Sequence, residues 1–361
     1  MKIALLGDIA FFGKFCLAEN QNIKTYFQEA AFLLNKYDYV IGNLETPFAD
    51  NCKPHGAKSA FIKANPINVE LLKYLNISIV NLANNHIYDF GSAGYKLTKD
   101  ILEKNNIQYF GIEGRGINID DKSGKIALSG YCCYSTNPIG IDEGSGHGIN
   151  PLNVSVVKEK MIANQKAGFY NIVSVHCGEE HVNLPNRNHL MMARQLAEVS
   201  PYTFYGHHPH VMQGIEKIKD SLIAYSLGNF CFDDVYTSKS KEPLIKQNDN
   251  NKSSFILELE VINDRLISYK PIPIYASDNT LIIGQESILN QINKYSQNLK
   301  IEKDEYENKR NEILSKYIQS RKSLRNFNWY FKRLNYQSFL ILKAARVNAQ
   351  KFKNNVLDYL N

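Results

Sequence analysis

Short apolar runs rich in Val, Ile and Tyr alternate along the chain with amphipathic stretches of about a dozen residues. The short runs predict buried β-strands and the amphipathic stretches predict helices, an alternation that is typical of an α/β fold. The predicted strands are residues 2–6, 37–41, 77–82, 107–110, 125–134, 171–175, 202–205, 221–226, 253–262 and 269–275.

Two of the predicted helices carry recognisable local signals. In "NPINVELLKYL", Asn65 can cap the first turn and Pro66 suits the first helical position. In "NHLMMARQLAEV", apolar residues such as Leu190 and Ala193 recur on one face. The polar stretch 236–252, "YTSKSKEPLIKQNDNNK", interrupts the pattern and predicts a mobile surface loop.

The composition changes after residue 284, where lysine-rich helical sequence begins. We therefore predict a first domain at 1–284 and a basic helical extension at 285–361. The last helix has a basic face and, opposite it, an apolar face. The apolar face is formed by Phe339, Leu342, Ala345, Ala349, Phe352, Val356 and Leu360. Three arrangements fit such a helix: packing on the first domain or a second subunit, lying on an anionic membrane surface, or binding an acidic polymer.

The net charge follows the same division. The whole chain has a formal net charge of +6, but ten basic residues and one acidic residue between Ile313 and Asn361 give that segment +9. The first 312 residues therefore carry −3. Because the basic charge belongs to the extension, we expect no nucleic-acid partner.

The compartment is predicted from apolar runs and cysteines. The N-terminal "MKIALLGDIAFFG" has only a short apolar run, interrupted by Asp8, which makes a poor secretory signal. No later run approaches the roughly 20 residues that a membrane span needs, so we expect a soluble, cytoplasmic protein. The six cysteines form no C-x-x-C pair, and reduced core thiols are expected rather than a disulfide or a zinc site.

Polar side chains follow six of the predicted strands, at the point where each strand ends. In α/β sheets, residues delivered by different strands to this edge converge on one crevice. The set contains carboxylates, amides and imidazoles, which suit Mn, Fe, Zn or Mg, and two such ions would activate a water and neutralise a phosphoryl group. Its members are Asp8, Asn43, Glu45, Asn84, Asn85, His86, Asp89, His176, Glu179, Glu180, His207, His208, His210, Asn229 and Asp233.

Each residue also has a purely structural interpretation. A lone Asp8 after a strand can be a turn or cap residue, and Asn84 and Asn85 can close a tight turn through their side chains. A lone His176 on an apolar strand can be a satisfied core residue. The "HHPH" segment can be a polar turn around Pro209, but three imidazoles within four positions favour metal binding, as does the set taken together.

The order and spacing of six motifs resemble the CapA-type capsule, or poly-γ-glutamate, biosynthesis proteins, a family related to the calcineurin-like metallophosphoesterases. The motifs are "GD" near the start, "NLE" (43–45), "LANNHIYDFG" (82–91), "VHCGEEH" (175–181), "GHHPHVMQGIE" (206–216) and "YSLGNFCFD" (225–233). The resemblance covers residues 2–275 and leaves out the C-terminal segment. It implies a metallophosphatase-like sandwich of two mixed β-sheets flanked by helices, with two divalent metal ions at the strand ends.

The resemblance also implies roles for individual residues. His86 is the expected general acid, and Asp89 and Glu180, grouped with it as catalytic, are expected to hold the histidines. Glu45 is preferred to Asn43 as the bridge between the ions, because a carboxylate bridges two cations better than an amide does. The implied metal ligands are Asp8, Glu45, Asn85, His176, His208 and His210. Candidates for substrate contact or the rim of the site are Asn43, Asn84, Lys63, His207, Asn229 and Asp233.

Five positions bear on this expectation. The superfamily follows its first Asp by two with a histidine, where this chain has Ala10, so one usual ligand is missing. Cys177 and His181 replace an aromatic residue and a tyrosine of the family pattern, which changes the expected shape of the substrate site. In the loop before the third motif, Lys58 and Lys63 can meet an anionic substrate or stay solvated.

The expected function is a divalent-metal-dependent phosphoesterase-like hydrolase, with a metal-bound hydroxide as nucleophile, in the biosynthesis of a capsule, exopolysaccharide or poly-γ-glutamate-type polymer. The polymer follows from resemblance alone. Two alternatives stay open: a non-hydrolytic assembly or export component of an anionic polymer synthase, and a metal-dependent enzyme acting on amide linkages. The expected partners are an anionic or phosphorylated small-molecule or polymer substrate, and a membrane inner face or polymer synthase that contacts the C-terminal helices.

Overall fold

The computed structural model describes residues 1–142, 144–237, 240–323 and 335–360 of the chain. In this part of the chain the strands form two large mixed sheets and one hairpin. In chain order they are β1 (Lys2–Ile9), β2 (Tyr39–Leu44), β3 (Ile79–Asn81), β4 (Gln108–Phe110), β5 (Ile117–Asp121), β6 (Gly124–Cys132), β7 (Tyr170–His176), β8 (Tyr202–His207), β9 (Ile215–Ile218), β10 (Ser221–Ala224), β11 (Asn229–Cys231), β12 (Val235–Thr237), β13 (Ser240–Ile245), β14 (Ser253–Ile262), β15 (Arg265–Ala276) and β16 (Leu281–Ile283).

Each large sheet combines parallel and antiparallel strands. The first has the order β16-β15-β14-β1-β2-β3-β4, in which β1 to β4 run parallel and β14 to β16 are antiparallel to their neighbours. Strand β11 pairs with β1 in parallel. The second has the order β5-β6-β7-β8-β10-β9, with parallel strands at its centre and antiparallel strands at both edges. Strands β12 and β13 form the hairpin.

Helices cover the outer faces of both sheets. The described α-helices are α1 (Ile23–Tyr26), α2 (Gln28–Leu34), α3 (Val69–Tyr74), α4 (Gly91–Lys104), α5 (Val154–Lys166), α6 (Arg187–Ala197), α7 (Asp249–Lys252), α8 (Glu286–Asn298), α9 (Lys303–Ser323), α10 (Tyr336–Phe352) and α11 (Asp358–Leu360), the last two joined by a π-helical turn at Lys353–Leu357. Short 3-10 helices lie at Gly13–Phe15, Pro66–Asn68 and Tyr134–Thr136. Asn65 caps the helical segment that begins at Pro66, as the sequence predicts.

Three apolar layers hold these elements together. One lies between the first sheet and helices α1 to α4, and includes Phe27 and Leu71. A second lies between the two sheets, where Leu5 and Ile172 pack. A third lies between the second sheet and helices α5 and α6. The predicted sandwich of two mixed sheets flanked by helices is therefore confirmed.

All ten predicted strands are present, with ends that differ by a few residues. Six shorter strands were not predicted, because they are polar or only three to six residues long: β5, β9, β11, β12, β13 and β16. The prediction of a loop at 236–252 is wrong for 236–237, which end β12, for 240–245, which is β13, and for 249–252, which is α7 capped by Asn248. All six cysteines are free, and five of them are buried, with Cys52 half-buried.

In the described residues, the segment after residue 284 packs on the part of the chain before it. Ile288 and Ile292 of α8 join the layer between the sheets, and Val356 and Leu360 join the layer outside the second sheet. The predicted apolar face of the last helix is thus buried at its C-terminal end, whereas Phe339 and its neighbours near the start of α10 are exposed. Within the described ranges, no helix is both long and apolar enough to cross a bilayer.

Candidate metal centre

Two rows of polar residues meet where the parallel strands of both sheets end. In the first sheet, Asp8 of β1 pairs in register with Asn43 of β2 and with Asn229 of β11. In the second, His176 of β7 pairs with His207 of β8. The rows touch because His207 Nδ1 lies 3.2 Å from Asp8 Oδ1, and Asn43 Nδ2 lies 3.4 Å from His176 Nδ1. The predicted convergence of strand ends on one crevice is what the structure shows.

Two glycines let the backbones at these strand ends approach each other. A Cβ atom on Gly7 would lie 1.9 Å from the carbonyl oxygen of Gly228, and one on Gly206 would lie 1.9 Å from that of Tyr225. Any side chain at either position would force the neighbouring backbone away. Each glycine immediately precedes a site residue, so these close backbone contacts fix the positions of Asp8 and His207.

The turn after β8 holds its two later histidines in strained backbone conformations. His208 has φ of +93° and His210 has φ of +55°, in the left-handed region that residues other than glycine rarely adopt. The turn brings both imidazoles next to Glu45, so that one ligand atom from each of the three residues lies within 4.8 Å of the other two. The backbone NH of His208 also donates a hydrogen bond to Asp8 Oδ2 at 3.2 Å.

The Glu45 carboxylate is buried without a hydrogen-bond donor. Its Oε1 lies 3.7 Å from Nε2 of both His176 and His210. Among the described residues neither of its oxygens accepts a hydrogen bond, and His208 Nδ1 likewise has no partner. Burial and the negative charge of Asp8 raise the pKa of Glu45 well above its ordinary value. Burying such a group is costly unless a cation neutralises it, so the oxygen and imidazole donors here fit a divalent metal.

The protonation states of the other cluster residues also suit a cation. Burial lowers the pKa of His176 well below its ordinary value, and it lowers the pKa of His208 to about 4. Although burial opposes ionisation, the imidazoles of His207 and His210 hold the pKa of Asp8 below its usual range. Neutral imidazoles and ionised carboxylates are the forms that bind metals.

A second cluster beside the first is fully paired by protein groups. The Asp89 carboxylate accepts hydrogen bonds from Lys58 Nζ at 2.7 Å and from the backbone NH of Ile62 at 2.9 Å. Its Oδ2 lies 2.6 Å from His86 Nδ1. Because a carboxylate accepts, we assign the proton of the neutral His86 ring to Nδ1, which leaves Nε2 for proton transfer. Lys58 Nζ also donates to the carbonyl oxygen of Asn85 at 2.6 Å.

The two asparagines of the "NNH" turn have different surroundings. Asn84 Oδ1 accepts hydrogen bonds from the backbone NH groups of His86 and Ile87, and its Nδ2 donates to the carbonyl oxygen of Leu44. It therefore closes the turn. Asn85 Oδ1 instead lies 2.9 Å from His176 Nε2, inside the cluster.

Two further predicted residues lie against the cluster. Asn229 Oδ1 is 2.9 Å from His210 Nδ1, where it can accept a hydrogen bond from the ring. Although burial opposes ionisation, His208 and His210 lower the pKa of Glu180, so this carboxylate is charged next to the imidazoles. Asn229 can thus orient His210 through a hydrogen bond, whereas the orienting role that the family resemblance implied for Glu180 stays a prediction.

Two predicted rim residues make contacts elsewhere. The Asp233 carboxylate accepts hydrogen bonds from the backbone NH groups of Lys14 and Asp234, so it holds a turn. Lys63 Nζ is exposed and donates to the carbonyl oxygen of Asp50. Of the two lysines in this loop, Lys58 is the one that the structure brings to the site.

Sequence reasoning missed three residues that support the cluster. Asn81 Nδ2 donates to Asn43 Oδ1 at 3.0 Å, and Asn43 in turn donates to Asp8. Asn251 Nδ2 donates to the carbonyl oxygen of His210 at 3.0 Å, and the Phe232 ring lies 4.6 Å from the His210 ring. Asn81 ends strand β3 but lies inside the predicted strand 77–82, so the rule that strand ends carry the site residues did not select it. The polar stretch around Asn251 offered no such signal.

Residues 2–234 match the family described as Bacterial capsule synthesis protein PGA_cap. The chain belongs to this family. The matched range contains every predicted site residue, and it ends before helices α8 to α11.

Two proteins from Bacillus species are similar to this chain. The chain is 29% identical over 259 residues to the "PGA biosynthesis protein CapA" of Bacillus subtilis, covering 68% of this chain and 67% of that protein. It is 28% identical over 259 residues to the "Capsule biosynthesis protein CapA" of Bacillus anthracis, covering 68% of this chain and 63% of that protein. This member of the capsule synthesis family thus aligns with only part of each relative's length.

Solved structures with a similar chain path include two nucleotidases. The NAD nucleotidase of Haemophilus influenzae has a TM-score of 0.40 at 12% identity, covering 90% of this chain and 60% of that chain. The 5'-nucleotidase of Candida albicans has a TM-score of 0.39 at 11% identity, covering 98% of this chain and 57% of that chain.

Proposed function

We propose that this capsule synthesis family member is a divalent-metal-dependent phosphoester hydrolase that acts in the biosynthesis of a capsule or poly-γ-glutamate-type surface polymer. The observation that carries the proposal is the buried Glu45 carboxylate, which faces His176 and His210 and accepts no hydrogen bond from the described residues. The polymer class rests on the family and on the names of the relatives from Bacillus subtilis and Bacillus anthracis.

The residues proposed to hold two cations are Asp8, Glu45, Asn85, His176, His208 and His210. Glu45 is the residue proposed to bridge them, because its carboxylate lies between imidazoles and accepts no hydrogen bond from the described residues. Asn43 instead donates to Asp8 and accepts from Asn81, so its amide serves to orient Asp8. Bound there, the cations would supply Lewis acidity toward a phosphoryl oxygen and lower the pKa of a water.

The second cluster is proposed to supply the proton for the leaving group. Asp89 fixes the His86 ring through Nδ1, so Nε2 is the atom that gives a proton to the leaving oxygen. An anionic phosphoryl group beside His86 favours the charged form that this step needs. Lys58, which bonds both Asp89 and the carbonyl oxygen of Asn85, holds His86 and the neighbouring ligand in one geometry.

The test is metal analysis of the purified protein together with a phosphatase assay on p-nitrophenyl phosphate. We expect about two divalent ions per chain and metal-dependent turnover in the wild type. His208→Ala should lose metal and turnover together. His147→Ala, which alters an exposed histidine in another loop, is the matched control and should behave like wild type.

Three other outcomes have distinct meanings. A protein that binds no metal and hydrolyses no phosphoester contradicts the proposal. Bound metal with cleavage of a poly-γ-glutamate probe, and none of p-nitrophenyl phosphate, favours an enzyme acting on amide linkages. Bound metal without turnover of either probe favours a non-hydrolytic assembly or export component.

A further inference from the structure

Helix α9 packs against the rest of the chain through one face, which contains mostly aromatic and charged residues and few aliphatic ones. Its contact residues follow one another at steps of four, three, four and four, which places them on one side of the helix. Two of them are buried and the other three are half-buried. We call this set the α9 face: Tyr306, Arg310, Ile313, Tyr317 and Arg321.

The buried Arg310 of the α9 face fixes the start of the site loop, which we define as residues 177–186, between β7 and α6. Arg310 Nη2 lies 2.8 Å from Glu179 Oε2. The same carboxylate accepts hydrogen bonds from Asn186 Nδ2 at 3.0 and 3.1 Å. Asn186 also caps α6 by accepting a hydrogen bond from the backbone NH of His189. One guanidinium therefore ties together both ends of the site loop.

Two aromatic residues of the α9 face hold the same loop. The Tyr306 hydroxyl donates a hydrogen bond of 2.7 Å to the carbonyl oxygen of Pro185. The Tyr317 ring lies 5.0 Å from the His181 ring, which in turn is 6.4 Å from His210. His181 has φ of +62°, so its backbone conformation needs support from its surroundings.

The far end of the α9 face reaches the hairpin on the other side of the site. Arg321 Nη1 donates a hydrogen bond of 2.8 Å to the carbonyl oxygen of Leu244 in β13. The segment after β13 contacts the cluster, because Asn229 Nδ2 donates to Gln247 Oε1. Helix α9 thus spans the site loop and the hairpin, two segments that the site needs in fixed positions.

We propose that α9 is a positioning helix for the metal centre, which holds the site loop so that His176, directly before the loop, and Glu180, within it, stay aligned with the proposed cations. The consequence for metal binding rests on the proposed function, whereas the restraint on the loop does not. The helix lies outside residues 2–234, which match the family. Arg310 and Tyr306 act through the loop and do not touch the cations.

The test compares Arg310→Met with Arg310→Lys and Lys316→Met. Lys316 is the matched control because it lies on the same helix and pairs with Glu312 on the exposed side. Hydrogen exchange should rise in residues 177–186 of Arg310→Met and stay at the wild-type level in Lys316→Met. In calorimetric titrations with Mn²⁺, Arg310→Met should bind about 10- to 100-fold more weakly, and Arg310→Lys should recover part of the loss.

Each result decides the matter. Exchange in the site loop of Arg310→Met equal to that of Lys316→Met overturns the proposal, as does unchanged Mn²⁺ affinity in a wild type that binds Mn²⁺. If Arg310→Met raises exchange throughout the chain, Tyr306→Phe replaces it, because that change removes only the hydrogen bond to Pro185. If the wild type binds no Mn²⁺, the proposed function fails, and the exchange comparison alone decides whether α9 restrains the loop.

A different observation, the exposed side of α10, carries a second inference. Tyr336 is 75% exposed, Phe339 is 61% exposed and Leu342 is 64% exposed. Lys343 and Arg346 share this side, because Lys343 follows Phe339 by four residues and Arg346 follows Leu342 by four. We call these five residues the α10 stripe. The α10 sequence from 336 to 352 contains no acidic residue.

The α10 stripe has the composition of a surface that rests on anionic lipid. Aromatic and aliphatic side chains can enter the headgroup region, while Lys343 and Arg346 reach phosphate groups with their charged ends. A soluble acidic polymer would use the basic residues alone and leave the apolar ones in water. The helix is held to the first domain on another side, where Asn348 Nδ2 donates to Asn137 Oδ1 and Gln337 Nε2 to the carbonyl oxygen of Gly56. We infer that the α10 stripe docks on an anionic membrane surface.

The test is co-sedimentation of the full chain with vesicles made of equal parts phosphatidylglycerol and phosphatidylcholine. The wild type should sediment with these vesicles and not with pure phosphatidylcholine. Phe339→Ser combined with Leu342→Ser should weaken vesicle binding at least about tenfold, because two apolar side chains are lost from the contact. Phe32→Ser, at a residue 71% exposed on α2, is the matched control and should leave binding unchanged.

Two results overturn this inference. One is a wild type that stays in the supernatant with anionic vesicles. The other is a double variant that sediments as well as wild type, and in that case displacement by soluble polyglutamate would identify an acidic polymer as the occupant.

Discussion

Two buried carboxylates have opposite surroundings, although each follows a strand of the first sheet. Asp89 is bonded to Lys58, to the Ile62 backbone and to His86, and the positive groups hold its pKa below the usual range although burial opposes this. Glu45 accepts no hydrogen bond from the described residues, and burial raises its pKa. The first carboxylate is neutralised by groups bonded to it, whereas none of the described residues donates a hydrogen bond to the second.

This difference separates two kinds of polar cluster. A paired cluster such as that of Lys58, His86 and Asp89 is stable by itself and serves to orient groups. In the cluster of Glu45, His208 and His210, the buried Glu45 carboxylate stores unfavourable electrostatic energy that a bound cation would release. The comparison therefore predicts that equivalent substitutions in the two clusters have opposite effects on metal binding and stability.

Glu45→Gln should give the largest functional effect. Among Glu45, His208 and His210, the Glu45 carboxylate is the only anionic ligand. Without it, metal content should fall from about two ions per chain to one or none, and turnover should fall to background. In the presence of EDTA, however, Glu45→Gln should be at least as stable as wild type, because an amide is cheaper to bury than an unpaired carboxylate. Metal analysis and thermal unfolding in EDTA check both parts. A large loss of stability in EDTA would show that Glu45 has a protein partner.

Asp89→Asn should do the reverse. It leaves the buried Lys58 without its carboxylate, and breaking a buried pair costs about 3 to 5 kcal/mol of unfolding free energy. Metal content should be retained in the folded protein. Urea unfolding of Asp89→Asn, Lys58→Met and the double variant measures the coupling, and the double variant should be more stable than the sum of the two single changes predicts. Additive losses would mean that the two side chains do not interact.

The pH dependence of stability should follow Asp89 in acid. Its pKa in the folded chain lies below the unfolded value, so its contribution is fully present above the unfolded pKa and is lost as pH falls through the folded pKa. Wild type should therefore lose more stability than Asp89→Asn on acidification below about pH 4. Thermal unfolding in EDTA over that range checks this, and parallel curves for the two proteins would contradict it.

The strand ends were predictable because β-branched runs mark the buried strands, and because ligands gather where parallel strands end. Which of Lys58 and Lys63 reaches the site could not be predicted, because this depends on the path of a loop rather than on residue type. The α9 face was equally hidden. Its contacts come from Tyr306, Arg310 and Tyr317, and a search for a periodic pattern of aliphatic residues does not detect such residues. Strand β13 was missed because "SKEPLI" reads as polar sequence.

Substitution of His207, which lies beside Asp8, should give the smallest of the expected effects. The sequence predicts His207 to contact substrate or lie at the rim of the site, and the structure places its fully buried ring 3.2 Å from Asp8 Oδ1. It also meets the Tyr205 ring edge to face at 5.0 Å. A group that orients a ligand without binding the ion typically changes metal affinity by about 10- to 100-fold. We therefore expect His207→Gln to weaken Mn²⁺ binding within that range and to leave the number of ions bound at saturation unchanged. Calorimetric titration separates the two quantities, and a lost ion at saturation would place His207 among the ligands.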